Sequence, residues 1–287
     1  MKRLTSFFAA TMLMLLSTSV AFANVVQEWT YTSDAIFVSW TDENGRTGNA
    51  DRNQSSVQGV NPKRTLNYDV LNGSYAPGSQ SGYSSLRWGN NNGYSSIGMT
   101  ANTGTLVTDG ANTGAGVSLW HNNKAIDSTV TTIQNGTALL TLDLKPVGAT
   151  IAELGTFGIE LDFYFIETAN ASSGSTAHDP DIFIVTDPFK FASQQFEYDG
   201  VDYWFTFEAS FNPLTGWFLE QAQRLLGTTD TLYGWTTAEG QTTNFSTEFA
   251  VLYEKRPVNT PTPEPGTVLL MGVGLLGMLG MRKRFKK

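Results

Sequence analysis

The chain has 287 residues, 26 acidic against 18 basic, a formal net charge of −8, no cysteine and two histidines. The acidic balance argues against nucleic acid or an anionic lipid surface as a partner, and the missing thiols exclude disulfides, thiolate metal sites and a cysteine nucleophile. Gly, Ser, Thr and Asn abound while helix formers are scarce, which favours an all-β body.

Met1, Lys2 and Arg3 form a basic start, Phe7 to Leu16 an apolar stretch, and Ala21-Phe22-Ala23 a small-x-small cleavage pattern. Residues 1–23 thus read as a signal peptide for Sec export, with an apolar core of about ten residues, too short for the roughly 20 that span a bilayer. Without the seven basic residues of the two ends, 26 acids face 11 bases, a net charge of −15 for residues 24–281. Residues 24–255 are long enough for one extracytoplasmic domain and show no composition break that would argue for two.

Strand patterning runs through this body. Ile36 to Trp40 is a candidate, and Ala138, Leu140, Leu142 and Leu144 alternate with Thr141, Asp143 and Lys145 before Pro146. Ile159, Leu161, Phe163 and Phe165 alternate with Glu160, Asp162 and Tyr164, the period-two pattern of a half-buried antiparallel strand. Ile182 to Thr186 is another candidate; Val201, Tyr203, Phe205, Phe207 and Phe211 form a further set, as do Phe245, Thr247, Phe249, Val251 and Tyr253. One helix is expected over Trp217 to Leu226, stopped by Gly227. Short strands joined by Gly/Asn/Ser turns predict an antiparallel β-sandwich, with a jelly-roll-like arrangement among its forms.

After this body, residues 256–265 form a proline-rich linker, 266–281 an almost wholly apolar run, and 282–287 a tail with five basic residues. The apolar run gives about 24 Å of helix, and flanking Lys and Arg can snorkel to match it to the bilayer. The basic tail is expected on the cytoplasmic side, with the folded domain across the membrane.

Several side-chain sets are candidates for chemistry. His121 and Asn123 lie two apart, on one face of an extended segment, and suit either a ligand or a loop held by side-chain to backbone hydrogen bonds. His178, Asp179 and Asp181, near Asn170 and Ser172 to Ser175, make an oxygen-rich corner where calcium is the cofactor to consider; otherwise no cofactor is expected. Glu160, Asp162 and Glu167 resemble the paired carboxylates of a β-sandwich glycoside hydrolase. Retention needs two carboxyl groups about 5 Å apart, yet Glu167 is an odd number of residues from Glu160 and falls on the opposite face. No Gly-x-Ser-x-Gly elbow, phosphate loop or dinucleotide fingerprint is present, so a noncatalytic protein is expected. Trp88, Trp120 and Trp204 are candidates for stacking on sugar rings, which leaves a carbohydrate-binding module as an alternative.

Pro263-Glu264-Pro265, the Gly-rich apolar run and the basic end together resemble the PEP-CTERM sorting signal. That resemblance implies recognition by exosortase, a transpeptidase-like membrane cysteine enzyme of Gram-negative bacteria that make extracellular polysaccharide. Pro263, Glu264 and Pro265 would then be substrate, held extended by the prolines, and the protein would be anchored transiently in the inner membrane before reaching the cell surface or medium, in association with exopolysaccharide or biofilm. Within the body, Leu119-Trp120-His121-Asn122-Asn123-Lys124-Ala125-Ile126 is similar to the segment that names the THxN family of PEP-CTERM proteins, with Trp120 where that pattern has threonine. Leu86 to Gly89, Ile166 to Asn170 and Asp181 to Val185 are similar to further segments of that family.

Overall fold

The computed structural model describes residues 24–49, 56–60, 63–70, 77–90, 93–127, 129–148, 156–168, 180–186, 194–209 and 211–253. The expected signal peptide, proline-rich linker, apolar run and basic tail lie outside these residues. Among the described residues no helix is long and apolar enough to cross a membrane.

In chain order the strands are β1 (Glu28–Asp42), β2 (Thr47–Asn49), β3 (Gln58–Val60), β4 (Arg64–Val70), β5 (Pro77–Gly82), β6 (Ser85–Asn90), β7 (Gly93–Thr100), β8 (Asn102–Val107) and β9 (Gly114–Asn122). They continue with β10 (Ile133–Pro146), β11 (Phe157–Ile166), β12 (Asp181–Val185), β13 (Gln194–Tyr198), β14 (Val201–Ala209) and β15 (Asn212–Pro213). Helix α1 (Gly216–Leu226) then precedes β16 (Tyr233–Thr237) and β17 (Thr242–Tyr253). The helix ends where expected, because Gly227 takes the left-handed conformation (φ 65°) and its N–H reaches the carbonyl of Gln223, a position that costs glycine no Cβ clash.

Two sheets face each other. One runs β15-β16-β12-β11-β10-β1-β2, with β8 on the first half of β1 and the β4–β5 hairpin joined to β11; the other runs β13-β14-β17-β9-β7-β6-β3. The architecture is the expected all-β sandwich. One pairing departs from the antiparallel rule: β4 meets β11 in parallel, Phe157 opposite Asp69 and Gly158 opposite Val70.

Period-two alternation builds the core. Ala138, Leu140, Leu142 and Leu144 of β10 and Leu161, Phe163 and Phe165 of β11 are buried, and they pack on Val117, Leu119, Phe205, Phe249 and Val251 from the facing sheet. The alternate residues Glu160 and Asp162 are exposed. In contrast, β12 is buried at all five positions. Its inner residues Phe183 and Val185 join the main core, while Ile182 and Ile184 pack against Leu214, Leu232 and Ala222 of α1 on the outer face. The helix therefore exists to cover the back of one strand, an amphipathic element whose stability comes from that docking.

Candidate functional site

Strand β9 carries His121 into the gap between the sheets, because Leu119 and His121 share its inner face while Trp120 takes the outer one. His121 is 1% exposed and Asn123, two residues on, is fully buried. Asn123 Nδ2 donates to the carbonyl of Thr237 at 2.9 Å, and its backbone N–H donates to the carbonyl of Gln241. These bonds tie the end of β9 to the β16–β17 turn, so the site closes one end of the sandwich.

Around His121 the two sheets contribute alternately. Trp88 of β6 stacks on the imidazole at 6.0 Å between ring centroids, and Phe165 of β11 meets it edge-on at 5.1 Å. Trp88 Nε1 donates to Glu167 Oε2 at 3.0 Å. Asp181, at the head of β12 and 1% exposed, accepts the backbone N–H of Thr168 on Oδ1 at 3.0 Å. Its Oδ2 lies 3.8 Å from His121 Nε2, and Thr237 is its antiparallel partner across β12–β16. Among the described residues, His121 Nε2, Asn123 Oδ1, Glu167 Oε1, Asp181 Oδ2 and Thr237 Oγ1 are buried and have no hydrogen-bond partner.

The electrostatics follow from burial. Loss of hydration pulls the His121 imidazole down to about 3, so it is neutral. Burial also pushes the Glu167 carboxyl up, to about 8, reinforced by Asp181 and opposed by the Trp88 bond, with Glu239 and Glu43 adding smaller repulsions. Asp181 rises to about 7 for the same first reason, held back by the Thr168 N–H and pushed again by Glu239. The 3.8 Å contact between His121 and Asp181 is therefore not an ion pair: it exceeds hydrogen-bond length, and the imidazole carries no charge.

The other expected sets are placed as follows. Glu160 and Asp162 point outward, receiving Gln80 Nε2 at 3.3 Å and Thr137 Oγ1 at 2.7 Å, while Glu167 sits inside beside Trp88. The register keeps Glu167 apart from Glu160 and Asp162, which share the outer face. Asp181 is not part of an exposed acidic corner but a core residue; His178 and Asp179 lie outside the described residues. Among the described residues no group of three or more histidine or acidic side chains is disposed to hold a metal. Trp88 is 1% exposed, its ring spent on His121 and Phe165, so it presents no face for a sugar. Trp120 and Trp204 are half-buried on the outer face of the second sheet, opposite Asn244 and Leu252 of β17 respectively. Eight residues of strand separate those two partners, roughly 26 Å.

Glu167, Thr168 and Thr237 joined the site without having been marked as a set with His121. The signal for Glu167 was its parity with Leu161, Phe163 and Phe165, which aims it at the core. Nothing in the local sequence marked Thr237, which reaches the site through pairing with Asp181.

The PEP-CTERM protein-sorting motif matches residues 261–284. No curated protein matches the chain. The motif implies an exported protein that crosses the membrane and is recognised by exosortase on its way to the cell surface.

Proposed function

We propose that the β-sandwich is a noncatalytic surface protein, released from its transient membrane anchor by exosortase at Pro263-Glu264-Pro265 and then retained among extracellular polysaccharide in the cell envelope or biofilm matrix. The observation that carries this reading is the sorting motif over residues 261–284. Two features of the body support it. The buried polar cluster is sealed by Trp88 and Phe165 rather than open to a substrate, and Glu160 and Asp162 face outward from β11 while Glu167, just past its end, accepts a hydrogen bond from Trp88.

Polysaccharide association is supported by the outer face of the second sheet, where Trp120 and Trp204 offer partly exposed rings of the kind that combine apolar area with a polar edge. The protein would act as a scaffold that meets a polymer at two separated points.

The deciding experiment is the intact mass of the protein in inner-membrane, surface and medium fractions, for the natural chain and for Glu264→Ala. A surface or medium product lacking both residues 1–23 and the segment beyond the Pro-Glu-Pro region, with the variant full-length in the membrane, sustains the reading. A surface product that keeps residues 266–287 overturns it.

A further inference from the structure

The buried cluster at the end of β9 gathers polar side-chain atoms that have no hydrogen-bond partner among the described residues. His121 Nε2 and Asp181 Oδ2 face each other at 3.8 Å, both on side chains 1% exposed. Thr237 pairs with Asp181 in register, which brings their side chains to neighbouring positions on one face of the sheet. Asn123 is fully buried and anchored through its Nδ2 to the Thr237 carbonyl, and its Oδ1 is left without a partner among the described residues. None of these four atoms has a hydrogen bond among the described residues.

A buried carboxylate oxygen, a neutral imidazole nitrogen and an amide oxygen are all lone-pair donors. Leaving them unmatched in the core is costly, and a cation answers all of them at once. The separation is suitable: ligands about 2.0–2.2 Å from a shared ion can stand 3 to 4 Å from each other, which includes the observed 3.8 Å. Nearby Glu239 adds negative charge, seen in the upward push it exerts on Asp181.

We propose that a first-row divalent cation, with zinc as its probe, binds between His121 Nε2 and Asp181 Oδ2, with Asn123 Oδ1 and Thr237 Oγ1 as neutral oxygen ligands. The imidazole is what selects this class: nitrogen suits zinc and its neighbours, whereas calcium takes six to eight oxygens. Only two of the four ligands are of the strong zinc-binding kind, so a structural site of modest affinity follows, one that pins β9, β12 and β16 together where the two sheets meet.

The test uses the full chain in detergent, stripped with a chelator and then given equimolar zinc. One zinc per chain after gel filtration, with a raised thermal midpoint, is the expected result. Asp181→Asn and His121→Gln should each weaken zinc binding at least about tenfold, while the zinc-free Asp181→Asn chain stays at least as stable as the zinc-free parent, since it loses a buried charge. That last readout separates a cation site from a purely structural hydrogen-bonding role, in which the substitution would destabilise with or without metal. No retained zinc, equal binding by both variants, or uptake of calcium with refusal of zinc overturns the proposal. If neither variant folds, X-ray absorption of zinc in the parent chain decides: one imidazole among oxygens sustains the site, and an all-oxygen shell overturns it.

Discussion

Trp120 lies flat over Gly98, its partner across the β7–β9 ladder, so closely that a Cβ on Gly98 would enter the indole ring. The same arrangement recurs at Trp40 over Gly48 and Phe163 over Gly136. In each case a glycine that weakens its own strand is covered by an aromatic ring from the next.

Gly98→Ala should therefore destabilise the domain by about 1–3 kcal/mol, the cost of overpacking. Chemical denaturation of the parent, Gly98→Ala, Trp120→Ala and the double variant checks it. The alanine at 98 should be tolerated once the indole is gone, so the two effects should fail to add.

Asp42 is fully buried at the β1–β2 turn. Its carboxylate accepts the backbone N–H groups of Asn44 at 3.1 Å, Arg46 at 2.9 Å and Ser56 at 3.3 Å. Asp42→Ala strands these donors, and a loss of about 3 kcal/mol is expected at about 1–3 kcal/mol for each donor left without an alternative partner. Arg46→Ala should have little effect, because its side chain is 54% exposed and its Nε stands 3.7 Å away. A pair of urea titrations distinguishes the two.

With a chelator present, stability should depend on pH through the buried cluster. Glu167 and Asp181 have folded values raised to about 8 and about 7, so the native state holds protons that the unfolded chain has already released. Their contribution is fully present at low pH and is lost as the pH rises through the folded values. His121 works in the opposite sense: lowered from 6.5 to about 3, it costs stability as the pH falls below 6.5, where the unfolded chain gains a proton that the native state refuses. Above 6.5 only the carboxyl effect remains, so the urea midpoint should fall steadily from there to pH 8. A midpoint that rises over that interval would contradict the assignment of these groups.

Trp204→Ala should reduce retention of the protein on polysaccharide from the producing cells, with a smaller effect on folding than Trp120→Ala, whose ring also covers Gly98. Co-sedimentation with the polymer, alongside thermal midpoints for both variants, checks this. Unchanged retention in both variants would leave the outer face of the second sheet without a role in binding.

The strands that were legible from sequence include β10, β11, β14 and β17, where apolar residues recur at most second positions, and the apolar runs that became part of β1 and the wholly buried β12. Strands β5, β7 and β8 were not, because segments such as Pro77 to Gly82 read as turn residues; they become strands by pairing with neighbours that supply the missing side-chain area. In the site, the spacing of His121 and Asn123 foretold a shared face. The closeness of Asp181 to His121 did not emerge from spacing, since 60 residues separate them in the chain and only the meeting of the two sheets brings them together.

Strand β1 is the spine of the first sheet, flanked by β10 along one edge and by β8 and β2 along the other. Trp29 at its start is opposite Pro146, so the longest ladder of the domain closes across more than a hundred residues of intervening chain. Pairings so distant delay folding into the millisecond-to-second range typical of sandwich topologies. A chain released amino-terminus first would leave one edge of β1 waiting for β10, and that ladder can close only after about half the protein has emerged.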